Sequence, residues 1–455
     1  MKSKLLLALL LFSVYCFGQD SSFQLKDFTF RTPGFKGLGV GIGLAGSASG
    51  YEKENGEDQS EKTFSITPSL ISYFKLVSTD DRLHQTTLWL NPYGNFEKRT
   101  INGKLVKRNN LRSYFSWDQN DRFYKKNKWF FEIGNTLSNE LSSQKNSDTV
   151  NNLNSSDIKV NNTVTLGIGK GRIERVQDAQ VALYIINDLK AQGFLNAEPD
   201  RATVEKLARL ITDINTKRVF DFRRRRIYEL TRLDSFLRSS GLVTQTDIRH
   251  FTTVNDNWSL AFNPYRLSGS NWYVQLKPGA DYTRRKYNEK TTANNYASTS
   301  DNFSFSLSPV AGYEKYVPLN LKWQLNMGIS FAYQIIKNNS HYKNVFNGVE
   351  SSNYNDYYDD LWTLNGFYSV GFFPNNRTQL AATLNLSALR RTNDYIEISP
   401  ELNFTTNYFV SYRTYVTGAF NIAYNRTIDE ANFIRNIDGH SFDTNLSVSI
   451  SHVIF

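Results

Sequence analysis

LKWQLNMGISFAYQI, residues 321–335, sets the grammar of the chain. Its odd positions are Leu321, Trp323, Leu325, Met327, Ile329, Phe331, Tyr333 and Ile335, and its even positions are Lys322, Gln324, Asn326, Gly328, Ser330, Ala332 and Gln334. Successive side chains of a β-strand point to opposite faces, so this segment is a strand with one apolar and one wet face. It is much longer than the five or six residues usual in soluble proteins. Such a strand suits a sheet that crosses a bilayer, with hydrocarbon outside and water inside.

The same alternation runs through Leu38, Val40, Ile42 and Leu44; Phe64, Ile66, Leu70, Phe74 and Leu76; Trp129, Phe131, Ile133 and Leu137; and Ile158, Val160, Val164, Leu166 and Ile168. Two weaker segments, near Leu88 and Tyr114, bring the number of strands before residue 172 to six. After residue 266 eight more follow, among them Trp272–Leu276, Phe303–Leu307, Trp362–Val370, Leu380–Leu386, Ile396–Phe404 and Val416–Tyr424.

Between these halves the period changes from two to three or four. Val176, Ala179, Leu183 and Ile186 predict a helix ending near Gly193, and Leu207, Leu210, Ile211 and Ile214 a second after Pro199 and Asp200. Ile227, Leu230, Leu233 and Leu237 predict a third, stopped by Ser240 and Gly241, and Asp247, Ile248, Phe251, Val254 and Trp258 a fourth, with Pro264 behind it. The expected fold is an all-β transmembrane barrel of about 14 antiparallel strands, with an α-helical insertion between strands 6 and 7. Parity supports reading 251–263 as helix, since both ends of a single-chain bacterial barrel face the periplasm and the strand count is even.

The expected division is residues 1–18 as a signal peptide, 19–36 as a periplasmic N-terminal segment, 37–172 as strands 1–6, 173–263 as a periplasmic helical insertion and 264–455 as strands 7–14. Tight turns at Ser78–Arg82, Val317–Asn320, Pro374–Arg377 and Phe409–Ser411 fall to the periplasm. Longer polar loops at Glu52–Lys62, Ser142–Ser156, Lys286–Ser300, Asn338–Asp360 and Arg426–Gly439 fall outside.

The first residues have the layout of a secretory signal: Lys2 and Lys4, an apolar run from Leu5 to Phe12, then small residues around Gly18. Tyr15 precedes the single cysteine, Cys16, where lipid attachment would need a small residue, so cleavage near Gly18 is expected and the mature chain has no thiol. Disulfides and Cys-ligated metal are thereby excluded. Loss of the signal lowers the net charge from +10 to +8, spread along the length, which argues against a nucleic-acid partner. No later run approaches about 18 apolar residues, as a transmembrane helix would need. The 26 Tyr and 32 Phe fit the aromatic rims of a barrel.

Leu446, Val448 and Ile450 alternate, then Val453 and the terminal Phe455 follow after a slip of phase. This ending resembles the C-terminal assembly signal of Gram-negative outer-membrane β-barrels. The likeness implies residence in the outer membrane, contact with outer-membrane lipid, and recognition by the barrel-assembly machinery. The stretch Gly167-Ile168-Gly169-Lys170-Gly171-Arg172 resembles the glycine-arginine strand end that precedes a helical periplasmic insertion in some of these barrels, a likeness that implies no activity.

Few residues suggest chemistry. The glycines at 167, 169 and 171 sit where a phosphate loop could, but their spacing matches neither nucleotide fingerprint, so a structural junction at the rim is expected. Arg223, Arg224, Arg225 and Arg226 run consecutively in the third helix, about 100° apart, and read either as a solvated or barrel-capping surface or as a contact for phosphate or an acidic partner. His84, His250, His341, His440 and His452 lack metal-ligand spacing. His452 alternates in face with Ser449 and Ser451, so no triad is expected. Asp356, Asp359 and Asp360 among tyrosines could bind Ca²⁺ but read as an ordinary loop. Lumen positions Lys277, Asp281, Lys322, Glu397 and Arg413 are of mixed sign and suit internal ion pairs. No catalytic residue, metal or cofactor is expected.

Three functions follow from different classes. The insertion favours a non-enzymatic anchor or docking protein that meets a periplasmic protein or seals the barrel from below. A solute channel or transporter gated by the insertion is the alternative; the roughly 18 residues before the first strand are too few for an N-terminal plug domain. A barrel-embedded lipid-acting enzyme is the third.

Overall fold

The computed structural model describes residues 23–452 except 41–42, 53–57, 68–70, 102–103, 148–151, 218–221, 261–265, 392–394, 412–413 and 430–436. The C-terminal Val453 and Phe455 lie outside the described residues, as do residues 1–22 with the expected signal.

One antiparallel sheet carries nearly all the strands' backbone hydrogen bonds. In the first half are β1 (Thr32–Val40), β2 (Gly43–Glu52), β3 (Asp58–Thr67), β4 (Ile71–Ser78), β5 (Arg82–Ile101), β6 (Lys104–Tyr124), β7 (Trp129–Ser147) and β8 (Asn152–Arg175). The second half holds β9 (Leu267–Lys290), β10 (Asn295–Pro318), β11 (Trp323–Phe346), β12 (Val349–Asn375), β13 (Thr378–Arg391), β14 (Tyr395–Phe409), β15 (Thr414–Asp429) and β16 (Ile437–His452). Because β1 pairs with β4 and β2 with β3, while β3 and β4 both pair with β5, the described strands occupy fourteen positions. This is the expected barrel sheet, with six positions before the helices and eight after.

The outward face is apolar where the alternation predicted it. Trp129, Ile133, Ile168, Trp272, Leu276, Phe305, Ile329, Leu364 and Phe404 are each more than a third exposed, as lipid-facing side chains of an isolated chain must be. None of the described helices is long and apolar enough to cross a bilayer.

Two expectations need correction. Phe74 and Leu76 face inward, with Leu76 only 2% exposed on the side that carries Ser78. Ile71 pairs with Leu90 but Ile66 with Gly94, so one extra residue enters between the pairings, and a one-residue slip exchanges faces. The long outer loops, second, are largely hairpins: β11 and β12 pair as far as Phe346 and Val349, around Asn347 and Gly348 with φ of 47° and 86°. Positive φ at both central residues is the turn that matches strand twist, and Asn-Gly supplies it. Beyond the bilayer both faces of a strand are wet, so alternation vanishes while pairing continues.

Four helices follow β8: α1 (Gln177–Ala191), α2 (Arg201–Thr216), α3 (Phe222–Ser239) and α4 (Ile248–Ser259). Asp200 caps α2 by accepting from Thr203 N at 2.8 Å, and Asp247 caps α4 by accepting from Arg249 N and His250 N at 2.8 and 3.0 Å. Gly193 and Gly241, both with positive φ, end α1 and α3. Ile185, Leu189, Leu207, Ile211, Leu233, Leu237 and Trp258 form the shared core. Phe23, Leu25 and Phe28, from the segment before β1, are buried in the same core.

Candidate functional site: the floor of the barrel

At the end of the barrel where the helices attach, a layer of inward side chains is buried. Leu76, Tyr124, Phe130, Glu132, Arg172, Asn271, Gln324 and Phe373 are all under 9% exposed. They come from strands spaced around much of the sheet, so together they form a floor rather than a wall. Room for it comes from the glycines of β8. A Cβ on Gly169 would lie 2.4 Å from the Phe130 ring, and one on Gly171, at φ +112°, 2.1 Å from Ser270 O. The expected structural junction is what the glycines provide.

The charged groups in this layer are paired across strands, while the buried Asn271 amide has no hydrogen-bond partner. Buried Glu132 accepts from Asn120 Nδ2 at 2.5 Å and Gln275 Nε2 at 3.0 Å, with Arg122 Nε at 3.3 Å. Arg172 donates to Thr79 O at 2.7 Å and Ser78 Oγ at 2.9 Å, pairs with Glu174 at 2.9 Å and lies over the Tyr124 ring. Arg31, just before β1, reaches Asp80 at 2.6 Å and the same Glu174 at 2.9 Å. Those contacts hold Asp80 below the usual carboxylate range, chiefly through the Arg31 hydrogen bond. The N-terminal segment, the β4–β5 turn and the exit of β8 are thus one network.

Two further latches act at this end of the barrel. Arg266, 1% exposed, donates to Leu321 O and Asn320 O at 2.7 Å, to Trp323 O at 2.8 Å and to Gln324 Oε1 at 3.1 Å, and covers the Phe373 ring. Burial lowers this guanidinium to about 10. On α4, Asp256 pairs with Arg377 at 2.6 Å and Asn257 accepts from Asn376 at 2.7 Å. The helical unit is therefore fastened to the β12–β13 turn by α4 and packs on Leu321 of the β10–β11 turn, while Arg31, Arg172 and Arg266 brace the strand ends that flank it.

The arginine run divides. Arg225 pairs with Glu229 at 2.7 Å, while Arg226 donates to Asn255 Oδ1 at 3.0 Å and to the Ser259 hydroxyl. Glu229 also accepts from Trp258 Nε1 at 2.7 Å, so these two arginines help join α3 to α4. Arg224 is exposed, and the Arg223 side chain lies outside the described residues. Sequence reasoning missed that Glu229, 5% exposed, needs these cations; the i, i+4 and i, i+3 spacings were the available signal.

The histidines stay apart. His250 is buried beside Asp234 at 3.2 Å, His341 stacks on Tyr354 at 4.2 Å, and His84 pairs with Asp121. Among the described residues, no three metal-ligating side chains come together. Asp356 and Asp360 lie on the opposite face of β12 from Asp359. The Arg413 and His452 side chains lie outside the described residues.

Above the floor, a cavity of about 430 Å³ is lined by Tyr273, Glu314, Asn365, Phe367, Asn385 and Glu401, among other polar and apolar neighbours. Glu401 accepts from Asn385 Nδ2 at 3.3 Å and from Asn421, which also donates to Asn403. The wall offers amides, hydroxyls and carboxylates, as a water-filled lumen requires.

In the helical core Asp178 is pushed up to about 6 by burial, against hydrogen bonds from Thr212 Oγ1 at 2.5 Å and Asn215 Nδ2 at 3.3 Å. Its folded-state value exceeds the ordinary 3.8, so the folded form binds the extra proton and stability falls as pH rises through that interval. From pH 4 to pH 7 the helical unit is expected to lose about 2 kcal/mol on this account. Hydrogen exchange of α1 and α2 checks it: Asp178→Asn is expected to flatten the dependence, and an unchanged slope refutes the assignment.

No protein-family model matches the sequence, and no curated protein matches it. Among solved structures, similarity is found to the ferric yersiniabactin uptake receptor FyuA from Yersinia pestis, at 8% identity over 90% of this chain and 58% of that one, TM-score 0.37. This chain therefore spans little more than half of that receptor's length. The toluene transporter TodX of Pseudomonas putida is similar at 9% identity, over 92% of this chain and 89% of that one, TM-score 0.31. The translocator domain of the autotransporter NalP from Neisseria meningitidis is similar at 7% identity, over 83% and 89%, TM-score 0.28. Likenesses of this size concern architecture and say nothing about activity.

Proposed function

We propose that this membrane barrel sits in the outer membrane as a non-enzymatic anchor, its lumen sealed from below by the helical unit, which it presents to a periplasmic protein partner. The observation that carries this reading is the floor: a layer of buried inward side chains, joined to α4 by Arg377 and braced at the strand ends that flank the helices by Arg31, Arg172 and Arg266. A simple diffusion pore has no use for such a layer. Arg224, exposed on α3, and Arg223 beside it are the positions for an acidic partner or phosphate. Barrel-assembly machinery reading Val453 and Phe455 belongs to the same proposal.

Single-channel recording of the refolded, signal-free protein in a planar bilayer tests it. No steady conductance is expected from a folded barrel, and steady conductance overturns the sealed-anchor reading. The second reading is a gated solute channel, favoured by the 430 Å³ polar cavity above the floor. It predicts conductance that appears when the helical unit is loosened and ceases when it is restored.

A further inference from the structure

Two rings of the lumen wall are laid along the sheet instead of standing out from it. Phe367 is the direct cross-strand partner of Gly328, and Tyr273 of Gly312. A Cβ on Gly328 would fall inside contact distance of the Phe367 ring, and one on Gly312 inside that of the Tyr273 ring. Each ring therefore rests over a neighbouring residue that leaves room for it. Both border the cavity above the floor, and both are only half-buried, so part of each ring stays open to the lumen.

The polar atoms around the rings fall into two sets. One set is answered within the wall: Glu401 accepts from Asn385 Nδ2 and from Asn421, and Asn365 Oδ1 accepts from the Ser387 hydroxyl at 3.0 Å. The other set meets no hydrogen-bond partner among the described residues, and it holds donors and acceptors alike: the Tyr273 and Ser330 hydroxyls, Asn365 Nδ2, Asn385 Oδ1 and the Asn425 amide. Glu314, the other carboxylate of the cavity, lies within electrostatic reach of Arg122, so neither carboxylate is an unanswered charge.

We infer that this cavity binds a neutral saccharide, stacked on Phe367 and Tyr273 and hydrogen-bonded through Asn365, Asn385 and Asn425. The open groups select that class: an ammonium uses only acceptors and a phosphate only donors, whereas a sugar hydroxyl donates and accepts at once. The C–H face of a sugar ring is apolar and packs on an aromatic ring as other hydrocarbon does. A volume of about 430 Å³ lies within the roughly 300–1,000 Å³ of small-molecule sites and admits a mono- or disaccharide. The inference rests on the barrel and its lumen but not on whether the floor opens, since a sealed barrel fills such a cup from the opposite end, and a conductance result leaves it standing.

The test uses the mature protein in nanodiscs, with saturation-transfer NMR against maltose, sucrose and trehalose and with putrescine as the cationic rival. Transfer to the ring protons of at least one of these sugars is expected from wild type. Phe367→Ala is expected to weaken that binding on the order of tenfold and Asn425→Ala about fivefold. Asn425 holds no protein hydrogen bond, so its truncation leaves the barrel intact, and circular dichroism confirms the fold of both variants. Lys343→Gln, on the outer hairpin, is expected to change nothing. Absence of transfer to all the sugars, or an affinity unaltered in either folded cavity variant, overturns the inference. So does displacement of the sugar by putrescine, which makes the cavity a site for cations.

Discussion

Trp258→Ala is expected to cost the helical unit about 3–5 kcal/mol and to unseal the barrel. The indole is fully buried and donates to Glu229, which Arg225 and Arg226 also approach. Truncation leaves a cavity where α3 and α4 meet and removes one of the hydrogen bonds that compensate a buried carboxylate. Because α4 carries the Asp256 and Asn257 latches to the β12–β13 turn, loosening it frees that side of the floor. Limited proteolysis should cut within residues 177–259 far faster than in wild type, and planar-bilayer recordings should show frequent openings. Trp258→Phe keeps most of the volume and loses mainly the hydrogen bond, with an expected cost of about 1–2 kcal/mol. If Trp258→Ala stays as protease-resistant and as silent as wild type, the floor does not depend on the helices.

Arg266→Met is expected to release the opposite latch at a cost of about 3 kcal/mol. Methionine preserves apolar bulk against Phe373 but leaves the carbonyls of Asn320, Leu321 and Trp323 without the donor they share. Hydrogen exchange in residues 317–324 should then accelerate by about a hundredfold, while the long β9–β10 ladder stays protected. Arg266→Lys is expected to recover only part of this, since an ammonium cannot span acceptors placed for a planar fork. Full recovery by lysine shows that charge, not guanidinium geometry, holds the turn.

Much of the architecture was legible because lipid writes a period of two into any strand it touches. Trp323 to Ile335 and Trp129 to Leu137 were placed on the correct face from spacing alone, and the four helices were found, with Asp200 at the start of α2 and Gly193 and Gly241 ending α1 and α3; Asp247, read as part of the fourth helix, is its cap. Phe74 and Leu76 were misplaced because a single extra residue inverts a face without disturbing the pattern on either side. The outer hairpins were misread as loops because water on both sides of β11 and β12 leaves nothing to alternate.

The floor was less legible still. Alternation tells which way Glu132 and Gln275 point but not what they meet across the lumen, and it misplaces Arg172, which has the parity of Ile168 yet turns inward past Gly171 at positive φ. The arginine run attracted notice for its charge, whereas in the fold Arg225 and Arg226 approach the buried Glu229, whose spacing suggested the pairing but not its burial, and Arg226 also reaches Asn255 on α4.

The presence of Phe23, Leu25 and Phe28 among the helices sets the order in which the molecule can be made. Phe28 and Val176 are about 150 residues apart in the chain, with six strand positions between them. Loop-closure entropy must be met before such a contact is rewarded, and neighbouring strands register through far shorter separations. The hairpins can therefore zip in sequence while the first and middle parts of the chain are still strangers, and the helical core closes only once the first half of the sheet has brought its two ends together. Tryptophan burial at residue 258 should lag behind sheet formation during refolding, making the seal the last event of maturation.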